Sequence, residues 1–388
     1  MKNWKVILAI MTANVVMMAA GYTMLIPFLP MYLMEELGVS INDVKLWNGA
    51  IFSITFLIGG IMAPLWGRMA DTKGKRLMAL RAGAGLAISY YLGGMVTSPE
   101  QMFLVRVLQG FAAGLWSVCL AITTSFVPME KLGLSLGIMQ AALTTGNVIG
   151  PLLGGTLATL FGMRSSFFVA GTLLTIITMI FYFYIPEPPK TAPKAEANPE
   201  IQVQLLKRPA IRETLCFVAV VQMVILLIQP ILALYVAQLA PDSDNLIFLS
   251  GFVFSLVGIA SALTAPWWGR FGQSRGFYRA LAYAAGGAGA VSFIVVVPRT
   301  LEPFCVMNFI YGLFAAGVAP SLSAILTSHT AQNERGRIFG YMFSAQQFGS
   351  MVGPILGGAV ATVLPLESLF VLGGAVFLSL GLVAWRRR

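Results

Sequence analysis

The stretch Gly146-Asn147-Val148-Ile149-Gly150-Pro151-Leu152-Leu153-Gly154-Gly155 returns 203 residues later as Gly349-Ser350-Met351-Val352-Gly353-Pro354-Ile355-Leu356-Gly357-Gly358. In each copy three glycines stand four residues apart and a proline follows the middle one. Glycines at that spacing share one face of a helix and let a neighbour approach closely where lipid supplies no hydrophobic drive. The proline withholds a backbone donor and bends the helix. A smooth face with a bend suits a seam that moves; fixed small-residue packing is the alternative. An offset of 203 also lays Pro27 and Tyr32 on Pro230 and Tyr235, and an offset of 202 lays Pro64, Trp66, Gly67 and Gly110 on Pro266, Trp268, Gly269 and Gly312. Such a duplication predicts two bundles related by a pseudo-two-fold axis.

Composition says what solvent these bundles meet. Of 388 residues 57% are hydrophobic and 10% charged, against roughly 25% charged in soluble proteins. The mean hydropathy of +0.82 is spread along almost the whole chain, so the bilayer is the main solvent. At roughly 20 apolar residues per crossing, twelve helical segments are predicted, at about 6–34, 44–66, 77–97, 101–126, 134–161, 165–185, 211–239, 246–268, 277–297, 302–327, 337–364 and 366–385. The first is too long for the apolar core of a cleaved signal peptide, so it is expected to remain. Residues 187–210, rich in proline and mixed charges, read as a surface linker between six-helix bundles at 1–186 and 211–388. The expected fold is therefore an all-α polytopic membrane protein.

The net charge of +10 does not point to nucleic acid, because the basic residues sit in short clusters between apolar runs. One side of the predicted layout holds 21 of the 25 Lys and Arg residues, the other Lys45, Arg164 and Arg299, with Arg106 inside a span. The positive-inside rule places the basic side, with both termini, in the cytoplasm. Cys119, Cys216 and Cys305 lie far apart in apolar stretches and His329 is alone, so packing cysteines and no metal site are expected.

Three motifs carry the chemistry. Gly67-Arg68-Met69-Ala70-Asp71-Thr72-Lys73-Gly74-Lys75-Arg76 reads as a tight turn in which Asp71, among cations, latches one arrangement of the bundles, or as a basic turn that only sets topology. Its counterpart, Gly269 to Gly276, has Gln273 opposite Asp71, so the latch is one-sided. In Leu104-Val105-Arg106-Val107-Leu108-Gln109-Gly110, Arg106 is an intramembrane charge, costly and therefore a functional candidate; snorkelling to the outer interface or a structural pin is the alternative. Polar and aromatic residues available to line a midplane pocket are Tyr22, Gln109, Trp116, Gln140, Thr144, Asn147, Gln222, Gln229, Asn308, Tyr311, Gln346 and Gln347. With 20 methionines in the chain, such a surface suits loose binding of varied amphipathic molecules, though interhelical hydrogen bonding explains any one of them equally well.

These residues resemble a known family. The Gly67 stretch matches the loop signature of the major facilitator superfamily, the Arg106 stretch its fourth-helix motif, and Gly146–Gly155 the fifth-helix motif of its antiporters. Gly21-Tyr22-Thr23-Met24-Leu25-Ile26-Pro27-Phe28-Leu29-Pro30 resembles the first-helix motif of the twelve-helix drug:proton antiporter branch. Within that branch, Trp47-Asn48-Gly49 and the following residues to Phe56, with Pro64-Leu65-Trp66-Gly67, look most like the bacterial MdtG-type multidrug exporters. The resemblance implies the major facilitator fold, residence in a bacterial inner membrane, and rocker-switch alternating access driven by protons. It further implies that Asp71, with Arg68, Gly67 and Gly74, stabilises the outward-open form, that Arg106 is linked to proton movement, and that Gly150 and Pro151 belong to the switch. Unlike several relatives, this chain has no acidic residue well inside a span; Glu35, Glu36 and Glu213 lie nearest.

The expected function is thus proton-coupled export of amphipathic small molecules by a monomer in the bilayer, with a dedicated exporter of one metabolite, siderophore-like, or of a lipid as the alternative. A membrane enzyme would need clustered nucleophiles, acids or metal ligands at midplane depth, and no phosphate-cradling loop ending in Gly-Lys-Ser/Thr occurs. Neither enzyme activity, ATP hydrolysis nor a cofactor is expected.

Overall fold

The computed structural model describes residues 4–188, 207–241, 243, 245–330 and 334–387. Residues 189–206, most of the expected linker, lie outside them. The first compact unit comprises Met1–Val39 with Ile54–Glu196, the second Ser40–Ser53 with Ala197–Arg388.

The helices of the first half are α1 (Trp4–Met24), α2 (Val44–Lys73), α3 (Lys75–Met95), α4 (Pro99–Phe111), α5 (Leu115–Phe126), α6 (Met129–Phe161) and α7 (Met163–Tyr184). Those of the second half are α8 (Pro209–Ile228), α9 (Leu232–Leu239), α10 (Leu246–Arg275), α11 (Phe277–Ile294), α12 (Leu301–Ala315), α13 (Val318–Ser328), α14 (Arg335–Val363) and α15 (Glu367–Arg386). The pairs α4/α5, α8/α9 and α12/α13 each divide one predicted crossing. Among the described residues nine stretches are long and apolar enough to cross a membrane, and the three other predicted segments are helical as α3, α11 and α14. Large side chains such as Leu263 (68% exposed) and Val363 (82%) give these helices the apolar exterior that lipid requires.

The duplication is visible in packing. In the first unit α1 lies along α6 and α3 along α7; in the second α8 lies along α14 and α11 along α15. Each unit has its own core, around Met11, Val15, Met78, Cys119, Ile122 and Phe181 in one and Val221, Trp268, Leu281, Val318 and Phe377 in the other.

Four predicted spans are broken, and the second and eighth run on to Lys73 and Arg275. The first does not run to residue 34: α1 ends at Met24, and a helical turn at Leu29–Met31 leads into a π-helical turn at Tyr32–Glu36. Pro27 and Pro30 remove the donors a continuous helix would need. Pro230 separates α8 from α9 for the same reason. The fourth span breaks between Phe111 and Leu115, where Gly114 takes φ 108°, a conformation closed to side chains with a Cβ. The second span continues to Lys73, so Asp71 stands in the last helical turn of α2 rather than in a loop. The turn itself is Gly74, with φ 109°, and Gly276 repeats it at 94°.

The second unit also holds the first turns of α2. Within it, Lys45 Nζ donates to the Ala361 carbonyl at 2.7 Å and Asn48 Nδ2 to the Pro230 carbonyl at 2.6 Å. A Cβ on Gly49 would stand 2.5 Å from the Pro354 oxygen, so the backbones meet where only glycine fits. The cysteines separate by environment: Cys119 is fully buried as expected, whereas Cys216 is exposed on α8 and does not pack inside.

Candidate functional site

The charge singled out in the fourth span sits deep inside the first unit. Arg106 is 2% exposed, which excludes snorkelling to an interface. Its Nη1 donates to Gln109 Oε1 at 2.9 Å, one helical turn on. The phenols of Tyr22 and Tyr90 lie within its electrostatic reach, and the Tyr90 hydroxyl donates to the Gly21 carbonyl, tying α3 to α1. Leu25, Ser89, Met102, Val105 and Phe167 complete the lining of a cavity of about 10 Å³ beside the guanidinium, too small for more than a single water. The guanidinium is thus held among amide and phenol groups inside the first unit.

The other pocket candidates spread over both units. In the first, Tyr22 packs edge-on to Phe56 at 6.0 Å, Trp116 packs against the unit core, and Gln140 and Asn147 are exposed along α6, with Thr144 partly so. The Thr144 hydroxyl bonds back to the Gln140 carbonyl at 3.1 Å. In the second, Gln222, Gln229, Gln346 and Gln347 are half-buried, Tyr311 stands edge-on to Phe377 at 6.3 Å, and buried Asn308 donates to its own helix at Phe304.

The glycine stripes are filled. A Cβ on Gly146 would come within 2.6 Å of Ala19 Cβ, and one on Gly150 within 2.6 Å of the Ala20 oxygen. Gly154 faces Met24 in the same way, and Gly349, Gly353 and Gly357 face Ala219, Met223 and Leu227. Each stripe is therefore close packing inside its own unit, α6 on α1 and α14 on α8, and not an open seam. Pro151 and Pro354 lie inside α6 and α14 without ending them.

At the turn after α2, Asp71, Gly67 and Arg68 are exposed, and among the described residues the Asp71 carboxylate makes no ion pair. The carboxylate that does hold this turn is Glu187, which had been assigned to the linker. It accepts from Lys75 N at 2.7 Å and Arg76 N at 3.2 Å, capping the N-terminus of α3 where backbone donors and helix dipole favour an anion. A Cβ on Gly74 would stand 2.8 Å from that carboxylate. Lys75 Nζ reaches Ser125 Oγ at 3.0 Å, and Arg76 covers the ring of Tyr182. Two of the acids that lie nearest the spans are engaged in ion pairs: Glu36 with Arg164 at 2.7 Å and Glu213 with Arg387 at 2.9 Å.

Arg81, inside the predicted 77–97 segment, belongs to α3 and closes the break in the fourth span. It donates from Nη1 to the Phe111 carbonyl at 2.9 Å and from Nη2 to the Ala113 carbonyl at 2.8 Å, lying 3.7 Å over the ring of Trp66. Trp66 Nε1 shares the Phe111 carbonyl at 2.9 Å. Helix breaks survive in a membrane only when freed carbonyls are satisfied internally. Arg81→Ala is expected to lower stability by about 2 kcal/mol, the scale of lost charged hydrogen bonds, seen as an earlier thermal unfolding of the detergent-solubilised protein; unchanged unfolding would remove the capping role.

Comparison with known proteins agrees with this architecture. The family model described as Major Facilitator Superfamily matches residues 11–302 and 227–388. The chain is 32% identical over 381 residues to the multidrug resistance protein MdtG of Proteus mirabilis, covering 96% of this chain and 94% of that one. The chain belongs to the major facilitator superfamily. It is also 32% identical to MdtG of Salmonella typhimurium over 396 residues, with 100% and 97% covered. Two solved structures from the superfamily's fold match at low identity. One is a point mutant of the nucleoside transporter NupG, with TM-score 0.81 at 16% identity over 99% of both chains. The other is a bacterial homologue of the human lysosomal transporter Spinster, inward-facing and occupied, with TM-score 0.78 at 15% identity over 98% and 97%. These two carry the fold alone; membership of the superfamily rests on the sequence matches.

Proposed function

We propose that this protein is a proton-coupled exporter that moves amphipathic small molecules out across a bacterial inner membrane by rocker-switch alternating access, its termini in the cytoplasm. The observation that carries the reading is the end-to-end match to two multidrug resistance proteins. Arg106 supports it: a fully buried charge costs about 3 kcal/mol in a membrane helix, and a transport cycle that moves protons supplies a reason to keep it. The amides of α6, α8 and α14, with the aromatics Tyr22, Trp116 and Tyr311 of α1, α5 and α12, favour varied substrates over one tightly fitted metabolite. Efflux of amphipathic dyes from vesicles, with and without collapse of the proton gradient, tests the proposal; efflux indifferent to the gradient rejects the coupling.

Asp71 is the proposed latch. With its side chain exposed at the end of α2, neutralisation leaves the fold intact and removes only an interaction made in another state of the cycle. Asp71→Asn is expected to slow efflux about tenfold and shift the resting population towards the inward-open form, read by distance probes on the basic face. An unshifted distance distribution removes the latch.

A further inference from the structure

The second unit carries a groove of about 670 Å³ between α10, α11 and the end of α12. Its lining includes Trp267, Trp268, Phe271, Tyr283 and Leu313 together with Arg275 and Arg279. Trp267 lies flat against Phe271, with centroids 5.3 Å apart. Trp267 is 56% and Tyr283 50% exposed, and in a bilayer-spanning helix such a surface meets lipid. Eight residues of helix separate Trp267 from Arg275, about 12 Å of rise, so the groove runs from the charged end of the helices into the hydrocarbon.

The duplication shows what this groove lacks. In the first unit the cation beside Trp66 comes from the chain itself, as Arg81. Gly74 and Gly276, which open α3 and α11, are 202 residues apart, so the counterpart of Arg81 is Tyr283. In the second unit Leu313 O is satisfied by Trp268 at 2.8 Å and Thr264 at 3.1 Å, and among the described residues no cation stands over the aromatic wall. Arg275 closes α10 and Arg279 lies in the first turn of α11, both exposed; no acidic residue lines the groove, and among the described residues neither arginine is in an ion pair. A comparable groove on the first unit, about 500 Å³ around Ile88, Tyr91 and Met179, has no charged residue in its lining.

We propose that the α10–α11 groove is a binding site for an anionic phospholipid, its phosphate held by Arg275 and Arg279 and one acyl chain lying over Trp267, Phe271 and Leu313. Basic pockets between spanning helices recognise anionic headgroups, guanidinium groups engage phosphate bidentately, and the apolar trough supplies what a soluble phosphate could not use. The uncharged groove of the first unit accepts chains without headgroup selection. This site is independent of what the protein transports.

Quenching of tryptophan fluorescence by brominated lipids tests it on the full-length protein in detergent. Phosphatidylglycerol is expected to quench at about thirtyfold lower concentration than phosphatidylcholine with the same chains, the scale of two basic groups at a membrane surface. Arg275→Gln with Arg279→Gln should abolish that preference, while Arg275→Lys with Arg279→Lys should retain most of it. Leu313→Phe, which narrows the trough and leaves both arginines, should weaken both lipids. Equal quenching by the two lipids in the native protein, a preference that survives the double Gln variant, or unchanged quenching in Leu313→Phe would each overturn the site. Displacement of the lipid by glycerol phosphate alone, or by an exported dye, would overturn its assignment to a phospholipid.

Discussion

Replacing Gly150 by leucine is expected to abolish folded protein. A Cβ at this position would already stand 2.6 Å from the backbone oxygen of Ala20, and backbone cannot swing aside as a side chain does. The whole of α6 would have to lift from α1, undoing the contacts that Gly146 and Gly154 make above and below. Overpacking of this kind costs on the order of 3 kcal/mol or more. Gly353→Leu should behave alike, since its face meets the backbone of Met223 and Leu227 in α8. The control lies on the same helix: Gly137 has nothing within 4 Å of its would-be Cβ, so Gly137→Leu should give native yield. Monodisperse protein on size-exclusion chromatography reads the outcome, and a well-folded Gly150→Leu would show that the α1–α6 contact is looser than described.

Removing the charge at Arg106 should separate function from fold. Arg106→Met keeps the length and apolar bulk of the side chain and deletes a guanidinium that is 2% exposed. Taking a charge out of a buried site relieves its desolvation, about 3 kcal/mol on insertion scales. The loss of the bond to Gln109 returns about 1–3 kcal/mol in the opposite direction. Thermal stability is therefore expected to change little, while gradient-driven efflux falls at least tenfold. The idea fails if Arg106→Met exports dye at the native rate, and a collapse of stability with efflux lost would leave Arg106 a structural pin.

The site was only partly legible in the sequence. Arg106 was visible because a lone Arg among apolar residues stands out without any knowledge of its neighbours. Its bond to Gln109 was within reach of the same reading, since i and i+3 residues meet on a helix. Glu187 was not, because a carboxylate in a proline-rich stretch gives no sign that it caps a helix 112 residues away in the chain. The ion pairs of Glu36 and Glu213 were out of reach for the same reason: their partners, Arg164 and Arg387, are distant in sequence. Arg81 fell inside a predicted helix with no partner in view until the break after Phe111 placed two open carbonyls beside it.

By itself the sequence determined the solvent, the duplication and the number of predicted crossings, since these depend on hydropathy summed over long windows and on residues that recur at one offset. It also determined which helix faces are smooth, because glycine at four-residue spacing is a local pattern. Only the tertiary structure decided what those faces touch, where helices break and which donors close the breaks. Each of those outcomes is a pairing between groups far apart in the chain, chosen by packing geometry and by the absence of water to satisfy an open backbone group.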